Sequence, residues 1–172
     1  YSSAASDVYK RQVPNYKNEK YLERTLKSLI EQTYKNIEIV VVCDKPEEDC
    51  DKLVKSYIEK DNRIIYIKND ERKGKFKARI QGAQKATGDY IAFLDADNYA
   101  SIDFYRNAIN NAQTNNSEIV IGDIVYEQEN GDKYVYNLMQ LPLKKIEGKE
   151  CFIKFFEQNG LNPFLSLIHI SE

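Results

Sequence analysis

The sequence predicts an α/β domain built on a mainly parallel sheet with helices on both faces. Three observations predict it. Strand-like and helix-like segments alternate through the first hundred residues, and the leading strand segment is a short continuous run of β-branched residues, the mark of a strand buried on both faces. The chain has 172 residues, of which 42 % are hydrophobic, enough for one domain with a sizeable core. Such alternation implies right-handed crossovers and places ligands outside the carboxyl ends of the strands. No internal repeat and no linker interrupts it.

Taken in order, Leu22, Leu26, Leu29 and Ile30 place a helix over Glu19 to Gln32. "IEIVVV", Ile37 to Val42, is the β-branched run. Asp49 to Lys60 returns to helical spacing through Leu53, Val54, Tyr57 and Ile58. "RIIYIK" is a second strand, followed by the charged loop "NDERKGK". Phe76, Ile80, Ala83 and Thr87 lie on one helical face, with Gly88 as the expected cap. The strand "YIAFL" comes next, and Ile102, Tyr105, Ile109 and Ala112 mark a helix after it. "EIVIGDIVYEQ" and "DKYVYNL" flank Asn130-Gly131, a two-residue hairpin signal. An amphipathic helix is expected from Gly148 to Gln158 through Phe152, Phe155 and Phe156.

Composition excludes several classes. A net charge of -2 argues against a general nucleic-acid binder, whose domain would be strongly basic. No run of about 18 apolar residues is present to span a membrane, and the N-terminus lacks the apolar core of a signal peptide. Cys43, Cys50 and Cys151 form no C-x-x-C pair and read as reduced thiols of a cytosolic protein, with a peripheral place at the inner face of the cell membrane left open. His169 is the one histidine, which rules out chemistry built on several histidines.

The ends differ from the rest. "YSSAASDVYKRQ", residues 1–12, has no apolar periodicity, and "SLIHISE", residues 166–172, follows "LNPFL" abruptly. Both are similar to translated sequencing-adapter DNA. The expectation is a non-native extension over 1–12, a native domain over 13–165 and a non-native tail over 166–172, with a parent gene that continues in both directions. Few core contacts are expected from either end, and the first strand, expected before Pro14, reads as damaged.

The chemistry gathers in "DYIAFLDADN". Asp95 and Asp97 stand two apart, so in an extended segment their side chains leave the same face. Paired carboxylates repel, and desolvation penalises each further, so basic side chains or a metal ion are expected beside them. Asp44 follows the "IEIVVV" strand, which brings a third carboxylate to the same edge.

These segments resemble the family-2 glycosyltransferases with the Rossmann-like, type-A nucleotide-sugar transferase fold. "VPNYKNEKYLERTLKSLIEQTYKNIEIVVV" is similar to the family's P-x-Y-N-x-E-x-x-L opening: Pro14, Tyr16, Glu19 and Leu22 match, and Lys17 replaces Asn. "GKFKARIQGAQKATGDYIAFLDADN" is similar to G-x-x-x-A-R-N-x-G followed by a D-x-D strand: Gly74, Ala78, Arg79 and Gly82 match, and Ile80 replaces Asn. The match covers Val13 to Pro163.

The resemblance implies transfer of a sugar from a nucleotide-diphosphate sugar, a UDP-sugar first among them, to a saccharide or lipid-linked acceptor in cell-surface polysaccharide or glycoconjugate synthesis, with inversion. It assigns Asp97 to a Mn²⁺ or Mg²⁺ ion and Asp95 mainly to the ribose, with a share in the metal. Ala96 lies between them in the donor site. Asp44 would face the nucleobase, Tyr16 would stack on it beside Pro14, and Lys75 and Arg79 would partner phosphates or carboxylates. A hard cation bridging the diphosphate would stabilise its departing charge.

Plainer readings stand beside these. Asp95 and Asp97 also suit a polar turn capping the next helix; Asp44, Lys75 and Arg79 suit solvated positions; Tyr16 suits the core. The sequence departs from the family in having Cys43-Asp44-Lys45-Pro46 where D-D-G-S is usual and in lacking tryptophan. The family's general base follows a tryptophan-containing stretch; Glu147, Glu150 and Glu157 do not match its position, so no base is assigned and this polypeptide is expected to be inactive. The alternative function is a fragment that binds a nucleotide sugar without catalysis. A nucleotidyltransferase is disfavoured because "VPNYKNEK" has no glycine, and an oxidoreductase because G-x-G-x-x-G is absent.

Overall fold

A computed structural model of the chain describes residues 2–8, 18–122, 124–128, 130–136 and 166–169. In chain order the elements are β1 (Ser2–Val8), α1 (Asn18–Ile30), β2 (Ile37–Asp44), α2 (Glu48–Ile58), β3 (Ile64–Asn69), α3 (Lys75–Lys85), β4 (Tyr90–Asp95), α4 (Phe104–Asn115), β5 (Ile119–Ile121), β6 (Ile124–Glu127), β7 (Lys133–Tyr136) and β8 (Ser166–His169). One sheet has the order β3-β2-β1-β4-β8-β5, and β6 and β7 form a separate hairpin. β3, β2, β1 and β4 run parallel. β8 is antiparallel to both β4 and β5, so the sheet is mainly parallel.

The strand "IEIVVV" is buried on both sides because each face of the sheet carries its own core. Ile37, Ile39, Val41 and Cys43 pack with Leu22, Leu26 and Leu29 of α1, Val54 and Tyr57 of α2, and Tyr105, Ala108, Ile109 and Ala112 of α4. Val40 and Val42 face the other way, against Ala78 of α3. Each fully buried leucine of α1 contributes about 2 kcal/mol by leaving water.

α3 corrects the expected face. Its buried residues are Ala78 and Gly82, whereas Phe76 is 79 % and Ile80 55 % exposed. Small residues let this helix approach the sheet closely, so its large apolar side chains lie on the outer side. Its C-cap is Ala86 rather than Gly88. Ile102 is exposed and precedes α4, which starts at Phe104. The hairpin loop is wider than two residues. Gln128 N–H donates to the Asp132 carbonyl at 2.9 Å, and Gly131 has φ +89°, the positive-φ glycine typical of a longer hairpin loop. The helix expected over 148–158 lies outside the described residues.

The ends also depart from expectation. Ser2–Val8 occupies the centre of the sheet, hydrogen-bonded along β2 on one side and β4 on the other. Ser166–His169 lies between β4 and β5. A strand slot is bonded through backbone groups, and a proline-free segment can supply these even without apolar periodicity.

Candidate functional site

Register places the acidic residues on one edge. Asp7 of β1 is level with Val42 and with Asp95, so the ends of β2 and β4 stand two strand spacings apart, roughly 10 Å. β4 stops at Asp95, and Asn98 N–H donates to the Asp95 carbonyl at 3.0 Å. This closes a turn with Asp97 at its third position. The two carboxylates therefore do not continue along one strand face, as an extended segment would have them.

Each meets a different environment. Asp95 Oδ2 accepts from Lys75 Nζ at 2.6 Å, and Asp95 Oδ1 from Arg79 Nη2 at 2.8 Å. The Arg79 guanidinium is 12 % exposed and lies 5.8 Å from the centre of the Phe93 ring, within cation–π range. The cations demanded by paired acids thus come from the first two turns of α3. Asp97 is exposed, and among the described residues no hydrogen bond or ion pair engages its carboxylate.

Asp44 is buried and holds the loop that follows β3. Its Oδ1 accepts from Asn69 Nδ2 at 2.8 Å; its Oδ2 accepts from the backbone N–H of Gly74 at 2.8 Å and of Lys73 at 3.1 Å. Asn69 and Gln81 exchange amide bonds at 2.8 and 3.2 Å, tying the end of β3 to α3. Gly74, the N-cap of α3, sits at φ +87°, ψ 158°, a conformation open to glycine almost alone. Beside this loop, Lys45, Glu47, Asp70, Glu71 and Arg72 line a cleft of about 410 Å³. Pro14 and Tyr16 lie outside the described residues.

The residues after Asp95 are stitched to α1. Thr25 Oγ1 stands 2.8 Å from the Ala96 carbonyl, 2.5 Å from that of Asn98 and 2.9 Å from that of Tyr21. Ser28 Oγ accepts the Ala100 N–H at 3.2 Å. Gln32 Nε2 donates to the Ser101 carbonyl at 2.7 Å, and its Oε1 accepts the Tyr105 N–H at 3.3 Å. A second tie reaches the hairpin: the Arg24 guanidinium lies 3.7 Å over the Tyr99 ring, Tyr99 OH donates to Glu127 Oε2 at 3.0 Å, and Arg24 pairs with Glu127. Arg24, then Tyr99, hold the Glu127 carboxyl below the usual carboxylate range. Sequence reading missed Thr25, Gln32, Asn69 and Gln81. The one signal for Thr25 and Gln32 was that polar residues at 25 and 28 on a leucine-core helix, and at 32 just past its end, share a side; nothing marked Asn69 and Gln81.

Among the described residues no three metal-ligating side chains gather. The donor set fits a hard cation that arrives with phosphate oxygens and keeps waters, using the exposed Asp97. It does not fit a cage made by protein alone, and both oxygens of Asp95 are taken by Lys75 and Arg79.

A parallel sheet whose carboxyl edge carries one clamped acid, one ion-paired acid and one exposed acid has the form of the α/β proteins that take ligands at the carboxyl ends of their strands. The chain belongs to glycosyl transferase family 2, whose model matches residues 12–166. The glycosyltransferase GlyA of Streptococcus pneumoniae serotype 4 is 33 % identical over 127 residues, 74 % of this chain and 18 % of GlyA. The Escherichia coli UDP-Glc:alpha-D-GlcNAc-diphosphoundecaprenol beta-1,3-glucosyltransferase WfaP is 45 % identical over 75 residues, 44 % of this chain and 29 % of WfaP. Among solved structures, S. aureus TarS 1-349 in complex with UDP-GlcNAc superposes with a TM-score of 0.59 at 24 % identity, over 69 % of this chain and 32 % of that one. The mannosyltransferase PcManGT from Pyrobaculum calidifontis, in complex with GDP-Man and Mn2+, gives 0.53 at 23 % identity, over 63 % and 31 %. These likenesses show the fold, and the chain spans less than half the length of each of these proteins.

Proposed function

We propose that the chain is the donor-binding part of a glycosyltransferase that moves a sugar from a nucleoside diphosphate, a uridine diphosphate sugar first among them, to a saccharide or lipid-linked acceptor in cell-surface polysaccharide or glycoconjugate assembly, with inversion. The observation that carries it is the edge after β4: Asp97 exposed on a turn, beside the two cations that hold Asp95. In this reading the nucleobase lies toward Asp44 and the cleft lined by Lys45 and Arg72. Asp44 Oδ1 accepts a single bond among the described residues, which leaves room for a base N–H. Asp95 faces the ribose hydroxyls. Lys75, 37 % exposed, turns from Asp95 toward a phosphate while Arg79 stays.

Asp97 would hold the Mn²⁺ or Mg²⁺ ion, whose charge offsets that of the diphosphate as it leaves. Pro14, Tyr16 and Ala96 are proposed to complete the donor site. The general base is assigned to none of the described carboxylates. The native stretch is proposed to be 13–165, which the family match over 12–166 supports, and the setting to be the cytoplasm or the inner membrane face. No helix among the described residues is long and apolar enough to cross a membrane.

Calorimetric titration of uridine diphosphate with and without Mn²⁺ tests the reading. Binding that requires Mn²⁺ and vanishes in Asp97→Asn is expected. Equal affinity without metal, or wild-type binding by Asp97→Asn, leaves Asp95 and Asp97 as a polar turn. Donor hydrolysis or transfer by the same protein separates an active enzyme from a fragment that binds alone.

A further inference from the structure

We propose that Thr25 of α1 is the positioning residue for Asp97, fixing the carboxylate for its ion by holding the backbone on both sides of it. The proposal rests on the metal role given to Asp97 above. Thr25 and Ser28 lie one turn apart on α1, and Gln32 stands two residues past its end, its Nε2 also donating to the Ser28 carbonyl at 2.9 Å. Thr25 and Gln32 are 0 % exposed amid Leu22, Leu26 and Leu29. A buried hydroxyl or amide is costly unless bonded, and an aliphatic side chain would fill either place. Both direct their polar atoms at the segment that carries Asp97 into α4.

Thr25 reaches the carbonyls of Ala96 and Asn98, the two neighbours of Asp97. Its single proton is shared between them and the helix carbonyl of Tyr21. Within the turn itself, the Asn98-to-Asp95 bond is the closing contact. Without the hydroxyl, the peptides on either side of Asp97 rotate more freely, and an exposed carboxylate that must meet an ion and two phosphates in one geometry pays the ordering entropy at binding. Among the described residues Asp97 itself makes no side-chain bond that would fix it, so in this proposal the precision of the site resides in the helix behind it.

The experiment compares wild type, Thr25→Val and Thr25→Ser by calorimetric titration of uridine diphosphate with and without Mn²⁺, with thermal melts of each. Thr25→Val keeps the volume and removes the hydroxyl; a loss of about tenfold in Mn²⁺-dependent affinity is expected, the size of one buried hydrogen bond. Without Mn²⁺ none of the three should bind measurably, and Thr25→Ser should restore the Mn²⁺-dependent affinity. The proposal is overturned if Thr25→Val retains wild-type Mn²⁺-dependent affinity, or if Thr25→Ser, melting like wild type, binds no better than Thr25→Val. Should Thr25→Val not fold, Thr25→Cys, of similar volume and a weaker donor, is read by the same two outcomes. A wild type without Mn²⁺-dependent binding shows that the Asp97 assignment itself is wrong, and that result is read before any variant.

Discussion

Asp95 and Asp97 are two residues apart and have opposite duties. Asp95 pairs with both Lys75 and the nearly buried Arg79, so its first effect is on the fold. Asp95→Asn keeps the shape but leaves two cations facing a neutral amide, and a destabilisation of about 1–2 kcal/mol is expected in a denaturant melt. Asp97→Asn should leave the same melt unchanged, because its carboxylate has no partner among the described residues to lose. The contrast separates a structural from a ligand-facing acid without any substrate. The motif was legible in the sequence, as was the need for cations nearby. The division of labour was not, because it depends on β4 stopping at Asp95 and a turn starting there.

At the scale of elements, spacing located the helices and strands well wherever the buried face was made of large residues, as in α1 and β2. It failed on α3, where closeness to the sheet required Ala78 and Gly82 and put Phe76 and Ile80 outside. The start of that helix depends on backbone geometry: Gly74→Ala places a side chain at φ +87°, and although nothing lies within 4 Å of the added atom, about 1–3 kcal/mol of strain is expected, measurable as a lower melting temperature. α2 and β3 are joined by Asp51, which accepts from Lys55 Nζ at 2.7 Å and Tyr66 OH at 2.9 Å. Lys55, then Tyr66, bring its carboxyl down from 3.8 to about 2. A lowered carboxyl pKa stabilises the fold above pH 3.8, and the contribution disappears as pH falls through 2. Acid titration of wild type against Asp51→Asn should show a wild-type advantage that narrows across that interval, and carboxyl NMR shifts should give the midpoint.

For the whole molecule, alternation of strands and helices was enough to fix a mainly parallel sheet and its acidic edge. The identity of the central strand was hidden, since Ser2–Val8 carries none of the apolar periodicity by which a strand is recognised. Removing residues 1–8 exposes the edges of two buried strands. Loss of cooperative melting and aggregation are expected, whereas removing 166–172 should detach β5 and leave the β3-β2-β1-β4 layer standing. Circular dichroism and light scattering on both deletions check this, and a 1–8 deletion that melts like the full chain would show that the central pairing contributes nothing to stability.

The Asp44 clamp gives this edge a built-in spectroscopic reporter. Arg72 and Lys73 are exposed, and amides in such loops normally trade their hydrogens with water quickly. Those of Lys73 and Gly74 end on a buried carboxylate, so their exchange waits for Asp44 to let go and measures how often the loop opens. Two slow amides in a fast loop should slow further when a nucleotide settles against Asp44 and stay unchanged when a ligand binds elsewhere on the molecule.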